Sequence, residues 1–130
     1  MTNEIPKYIG DLLERYEKGE REFPNCDFEV HENLQHLTLD DSNLQGSMFF
    51  SADFTGTSFR NCNLKNCGFK CCKFERVDFT NADLSGSLLS GAEFINCKFS
   101  NAKFDGADWY GYTITTEEFV SLILNEDNES

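Results

Sequence analysis

Histidine is scarce in this 130-residue chain, with two residues, and cations are outnumbered, eleven Lys and Arg against twenty-three Asp and Glu. With only His31 and His36 to draw on, no Ser/His/Asp or Cys/His constellation can be assembled. A net charge of −12 disfavours direct binding to nucleic acid. No run of about twenty apolar residues is present, which argues against a membrane-spanning helix. The opening Met-Thr-Asn-Glu-Ile-Pro lacks the basic and apolar parts of a secretory signal, so a cytoplasmic location is expected. No glycine-rich phosphate cradle occurs either. These absences leave no catalytic, cofactor-binding or metal-ligating residues to assign, and the chain is read as a non-enzyme.

What the sequence does have is a period of five. From Leu34 to Trp109 every fifth residue is Leu, Phe or Trp, sixteen times without a gap. A step of five turns an α-helix by about 140° and carries a strand to its opposite face, so neither element can keep these side chains together and the chain must bend between them. Two residues before most centres stands a small residue, as at Ser42, Ala52, Cys62 and Ala82. Two residues after the centre, Gly or Asn appears at eleven of the sixteen positions. Both tolerate φ > 0, which suits a turn, so each repeat reads as a short extended piece and a corner. A different turn type is expected where His36, Asp41, Ser51, Cys71 and Arg76 occupy that corner.

Right-angled corners return the chain to its start after four repeats, with coils stacking at about 4.8 Å. The fold class expected is therefore an all-β solenoid of about four coils, on the order of 20 Å long. A twenty-residue coil predicts four inward columns: Leu34, Phe54, Phe74, Phe94; Leu39, Phe59, Phe79, Phe99; Leu44, Leu64, Leu84, Phe104; and Phe49, Phe69, Leu89, Trp109. Asn61, Asn81 and Asn101 should form an amide column at one corner.

The segments Ala52-Asp53-Phe54, Ala82-Asp83-Leu84, Ala92-Glu93-Phe94 and Ala107-Asp108-Trp109 resemble the A(D/N)LXX signature of the pentapeptide-repeat family, over residues 32 to 111. The resemblance implies a right-handed quadrilateral β-helix. It also implies a second functional reading, since some acidic members resemble duplex DNA, bind DNA gyrase and protect it from quinolones.

The ends read as caps. Residues 1–22 are expected to form an N-terminal capping helix, within 6–18, with Tyr8, Ile9, Leu12, Leu13 and Tyr16 on one face and Gly19 as its stop. Residues 23–111 form the solenoid, regular from 32. Phe23 and Phe28 keep the five-residue step but stand one residue out of phase with Leu34, which predicts a bulge near Val30 or His31. Residues 112–130 are expected to form a C-terminal capping helix and an acidic tail from Asn125, the helix opened by the capping-box pattern Thr115-Thr116-Glu117-Glu118. Its apolar residues Phe119, Val120, Ile123 and Leu124 are candidates for self-association as well as capping.

Of six cysteines, Cys62, Cys67, Cys72 and Cys97 fall on the small inward position and are read as apolar filler; Cys26 has the same setting. Cys71 sits at a corner between Lys70 and Lys73 and is the candidate reactive thiol. Flanking the Phe49, Phe69, Leu89, Trp109 column, Met48, Phe50, Leu88 and Tyr110 put four large apolar groups on one outward side. They are the candidate face for a protein partner, unless the terminal helices or the segment around Phe23 fold over them. A monomer or weak dimer with no cofactor, no membrane contact and no direct nucleic-acid contact is expected. A structural spacer within an assembly is the third reading.

Overall fold

A computed structural model of the chain describes residues 4–28 and 32–124. The predicted bulge at Val30 or His31 and the tail from Asn125 lie outside the described residues. Between them the five-residue step does make the chain turn corners. Parallel bridges join residues exactly one predicted coil apart, as in Thr38 to Ser58 to Asp78 to Lys98 and Asn43 to Asn63 to Asp83 to Lys103. Two further ladders run through Met48, Gly68, Leu88 and Asp108, and through Asp53, Lys73 and Glu93. A register of twenty with four ladders gives a four-sided winding. Most rungs are too short to count as strands; β1 (Lys73–Glu75) and β2 (Glu93–Ile95) pair in parallel.

Each rung is held from both sides. Phe59 N–H donates to Asp78 O at 2.8 Å, while Asp78 N–H donates to Thr57 O at 3.2 Å. Inside, rings of one column stack: Phe54 on Phe74 at 5.4 Å and 8°, Phe79 on Phe99 at 5.6 Å and 5°. Rings of adjoining columns meet edge to face, as Phe54 does Phe59 at 5.2 Å and 64°. Both geometries suit the ring quadrupole, and each fully buried Phe contributes about 2–3 kcal/mol through area alone.

The corners correct one expectation. His36, Asp41, Ser51, Cys71 and Arg76 all hold positive φ, between 54° and 67°, like the Asn corners. The ladder dictates this, because the corner N–H must reach the next coil: Ser51 N–H donates to Lys70 O and Cys71 N–H to Ser90 O, at 2.9 and 3.0 Å. The left-handed conformation costs an ordinary residue about 1–2 kcal/mol, and the ladder bond overrides that preference. Of the corner column expected at Asn61, Asn81 and Asn101, the first two are linked and the run begins at Asp41, with Nδ2 to Oδ1 distances of 3.0 and 3.1 Å.

The (D/N) of the motif also acquires a cause. The side chain before the centre accepts the N–H two residues on, as Asp53 does from Thr55 at 2.9 Å and Asn63 from Lys65 at 3.1 Å, fixing the exit from each rung.

α1 spans Ile9–Glu17, shorter than the 6–18 expected. Its first N–H is capped from afar by Glu32 Oε2 at 2.7 Å. It stops at Gly19, φ 98°, where Gly19 and Glu20 N–H groups bond back to Tyr16 O and Arg15 O. Leu12 is buried, with Ile9, Leu13 and Tyr16 packed beside it, but Tyr8 is exposed rather than on the buried face. Phe23 and Phe28 enter the core. Glu22 and Asp27 bridge to Asn43 and Met48 with a register of twenty-one, against twenty from Thr38 onward.

At the far end the winding gives way to a hairpin that the repeat did not foretell. β3 (Ala107–Trp109) and β4 (Tyr112–Ile114) pair antiparallel through Tyr110 and Gly111, both at positive φ. α2 (Thr116–Leu124) then lies over the last coil, its capping box formed by Thr115 and Glu118 with reciprocal bonds of 2.9 and 3.1 Å. Phe119 stacks on Phe104 at 3.8 Å and meets Phe94 and Phe99 edge on.

Candidate functional site

The four candidate face residues fall on one side of the rod because the ladder aligns Asp27, Met48, Gly68, Leu88 and Asp108. Phe50, Lys70, Ser90 and Tyr110 follow two residues on along the same wall. Gly68 organises the middle of it. Its φ is not left-handed, so what distinguishes it is space: a Cβ there would lie 2.6 Å from Met48 Sδ and 2.8 Å from Phe50 Cε1 and Cζ, and both side chains would have to shift. Met48 and Phe50 therefore lie across the Gly68 backbone and form one apolar plate. Phe50 is 40% exposed and Tyr110 62%; Leu88 and Met48 are half-buried. Phe23 is in the core and the helices sit over the coil ends, so neither covers Phe50 or Tyr110.

Charge on this wall is sparse. Lys70 is exposed and no carboxylate among the described residues stands within ion-pair distance of it. Its neighbours are all engaged: Arg60 with Asp78 at 3.6 Å, Lys65 with Asp83 at 3.8 Å, Lys73 and Arg76 with Glu75 at 3.5 and 2.7 Å. Among the described residues the Asp108 carboxylate meets no cation and accepts from Ser90 Oγ at 3.3 Å, the same oxygen that receives Tyr110 N–H at 2.7 Å.

The candidate self-association residues divide. Phe119 and Ile123 are buried against the last coil, so they cap it and offer no free surface, which corrects that expectation for these two. Val120 is half-buried, and the Leu124 side chain lies outside the described residues.

The inward cysteines do more than fill space. Cys62, Cys67, Cys72 and Cys97 each donate to the carbonyl of a repeat centre in the preceding coil, Leu39, Leu44, Phe49 and Phe74, at 2.7–3.1 Å. Thr57 does the same to Leu34 O at 2.6 Å. Burial pushes the Cys62, Cys67 and Cys72 thiols up to about 12 and those of Cys26 and Cys97 to about 11, keeping them protonated. No group of His, Cys, Asp and Glu among the described residues is arranged to hold a metal. Cys71 alone is exposed, its sulfur over the Gly91 corner.

Surface hollows occur between β4 and α2 (Ile114, Glu117, Leu122), beneath the N-terminal arm (Ile5, Tyr8, Asp27) and beside Val77. None of these three contains a histidine or cysteine. Among the described residues these three hollows bring together no nucleophile with a base.

A family model described as pentapeptide repeats matches residues 33–66 and 72–108, in eight copies. The chain belongs to the pentapeptide-repeat family. Among solved structures, a pentapeptide-repeat protein of the Arabidopsis thaliana thylakoid lumen superposes with a TM-score of 0.54 at 19% identity, over 76% of this chain and 74% of that one. The likeness is one of fold, the right-handed quadrilateral β-helix. A pentapeptide-repeat protein from Nostoc PCC 7120 aligns over 98% of this chain and 100% of its own at 23% identity, TM-score 0.49. QnrB1, a plasmid-mediated fluoroquinolone resistance protein, aligns over 69% of this chain and 56% of its own at 22% identity, TM-score 0.39. A comparison with curated protein sequences finds no match. Pentapeptide-repeat proteins are generally non-enzymatic. No helix among the described residues is long and apolar enough to cross a membrane.

Proposed function

We propose that this pentapeptide-repeat chain is a non-enzymatic protein–protein interaction module, and that its working surface is the wall carrying Met48, Phe50, Leu88 and Tyr110. The observation that carries the reading is the exposed apolar plate over Gly68. Met48 and Phe50 lie against Gly68, in space that a larger residue there would enter. Elsewhere on the walls the outward residues are mostly charged or small and polar. Exposed apolar groups on a rigid backbone lose little entropy on binding, which favours a contact surface over a merely tolerated one. The test is capture of a partner by the wild-type chain and by Phe50→Asp plus Leu88→Asp. Undiminished capture by a folded double variant rejects the wall.

A gyrase-directed DNA mimic needs acidic rows along the walls, and those rows are interrupted. Lys73 stands between Asp53 and Glu93, and Lys98 follows Asp78. Residues 1–22 and 112–130 carry −2 and −5 of the −12, so the acidity gathers at the ends. Sixteen repeats read as four coils span about 20 Å, less than a DNA turn of about 34 Å. A gyrase supercoiling assay with ciprofloxacin tests this second reading, and protection would establish it. We place the chain in the cytoplasm, a reading that its six free cysteines support.

A further inference from the structure

The winding ends on an open strand edge. In β3, Asp108 uses its N–H and C=O on the preceding coil, donating to Ser87 O and accepting from Leu89 N–H. β4 is therefore bonded through Ala107 and Trp109, which stand opposite Ile114 and Tyr112. The alternation of an antiparallel pair then turns the N–H and C=O of Thr113 away from β3. Among the described residues β4 has no second strand neighbour. Neither lysine nor proline blunts this edge. Beside it lies the hollow between β4 and α2, about 450 Å³, lined by Ile114, Glu117, Glu118, Ser121 and Leu122. Glu118 is engaged in the capping box, whereas the exposed Glu117 carboxylate meets no cation among the described residues. Tyr112 and Leu122 are exposed at its margin. Residues 112–130 hold five carboxylates and no Lys or Arg, so like charge opposes a second copy at this end and favours a cationic occupant.

We infer that this end takes an extended, lysine- or arginine-bearing segment of a partner protein as one further antiparallel strand on β4. The segment's central residue stands opposite Thr113, exchanges backbone hydrogen bonds with it in both directions, and turns its side chain outward as Thr113 does. Its two neighbours stand opposite Ile114 and Tyr112 and point toward α2. One lays its stem over Ile114 and Leu122 and brings its cation to Glu117; the other sets its cation on the exposed Tyr112 ring. Main-chain pairing fixes the geometry, and the carboxylates select the sequence. An edge this short makes the contact weak and reversible. The surface lies apart from the Met48 and Phe50 plate and does not depend on it.

The probe is the end-blocked pentapeptide Thr-Lys-Thr-Lys-Thr, titrated into the full chain while hydrogen exchange of the Thr113 amide is followed by NMR. In the free chain that amide should exchange rapidly, and saturating peptide should slow it about tenfold. Binding is expected with a Kd on the order of 1 mM, rising with salt. Glu117→Lys should weaken it about tenfold, and Glu117 is exposed, so the variant keeps the fold. The same peptide methylated on its central backbone nitrogen cannot donate to Thr113 O and should not bind; Thr-Glu-Thr-Glu-Thr should not bind either. A Thr113 amide already protected in the free chain overturns the proposal, because the edge then has an occupant of its own. Equal binding of the methylated peptide overturns it too, since charge attraction alone would account for the contact. So does an absence of binding at about 10 mM peptide, ten times the expected Kd.

Discussion

Three serines occupy the same inward position of different repeats, are all buried, and differ only in what their hydroxyls meet. Ser47 Oγ receives Cys26 N–H at 2.9 Å and donates to Phe23 O at 3.4 Å. Ser87 Oγ donates to Leu84 O at 2.6 Å. Ser42 Oγ has no partner among the described residues, because α1 ends where a preceding rung would have supplied a carbonyl. Replacing each by Ala removes one oxygen from one kind of site, so the cavity term is shared and the hydrogen-bond term alone varies. Ser42→Ala relieves a buried hydroxyl of its desolvation cost and should stabilise the fold by about 1 kcal/mol. Ser87→Ala should cost about 1 kcal/mol. Ser47→Ala strands the buried N–H of Cys26 and should cost about 2 kcal/mol. With a urea m-value of about 2 kcal/mol/M, the midpoints should move by about +0.5, −0.5 and −1 M at unchanged m. Equal losses in all three variants would refute the reasoning, and would mean that a buried water serves Ser42 Oγ as well as the protein serves the others.

In native protein a thiol reagent should modify one cysteine, Cys71, with the other five reacting only on unfolding; two or more fast equivalents would contradict their burial. Those five thiols titrate at about 11–12 when folded against about 9 when unfolded, so the unfolded chain sheds protons first as pH rises. Stability should be indifferent to them below pH 9 and then fall by about 1.4 kcal/mol per thiol per pH unit, which circular dichroism against pH will show as alkaline unfolding. At Asp53 and Asp78 burial raises the carboxyl, but the hydrogen bonds from Thr55 and Thr80 and the facing cations outweigh it and hold both below the ordinary range. Their contribution is complete above the unfolded Asp value of about 4 and is lost as pH falls through the lower folded values; Asp53→Asn plus Asp78→Asn should flatten that acid limb. Ser51→Gly, at φ 61° on an exposed corner, should stabilise the fold by about 0.5 kcal/mol and raise the urea midpoint by about 0.25 M, strain relief exceeding the added unfolded-state freedom.

The winding was legible because a period of five suits no straight element, and once the corners are granted the register of twenty follows; the inward columns hold except at Trp109, which is only partly buried in the terminal hairpin. The caps at Gly19 and at Thr115 with Glu118 were legible for the same reason: their chemistry is local. Three things were not. The left-handed corners at Arg76 and Cys71 are imposed by a ladder bond to a coil twenty residues away, which residue preference cannot report. The hairpin after Trp109 hid because Gly111 looks like one more corner, and only the pairing of Tyr112 with Trp109 distinguishes it. The thiol hydrogen bonds hid because the acceptor carbonyl lies twenty-three residues earlier, so a cysteine read along the chain is merely small.

The candidate wall shows where such reading stops for function. Its four apolar residues could be placed on one side from the period alone, since that requires only the count from one coil to the next. That Met48 and Phe50 collapse onto Gly68, and that Lys70 lacks the ion partner its neighbours have, are facts of side-chain packing across coils. A quadrilateral solenoid repeats its backbone at every level, so its shape distinguishes no level from another. Recognition on such a rod has to come from breaks in the repeat: a missing Cβ, an unpaired cation, an aromatic group where the other walls carry serine or aspartate. Gly68, Lys70 and Phe50 supply all three within one rung of each other, and on the reading proposed above they give a partner its axial position on this wall.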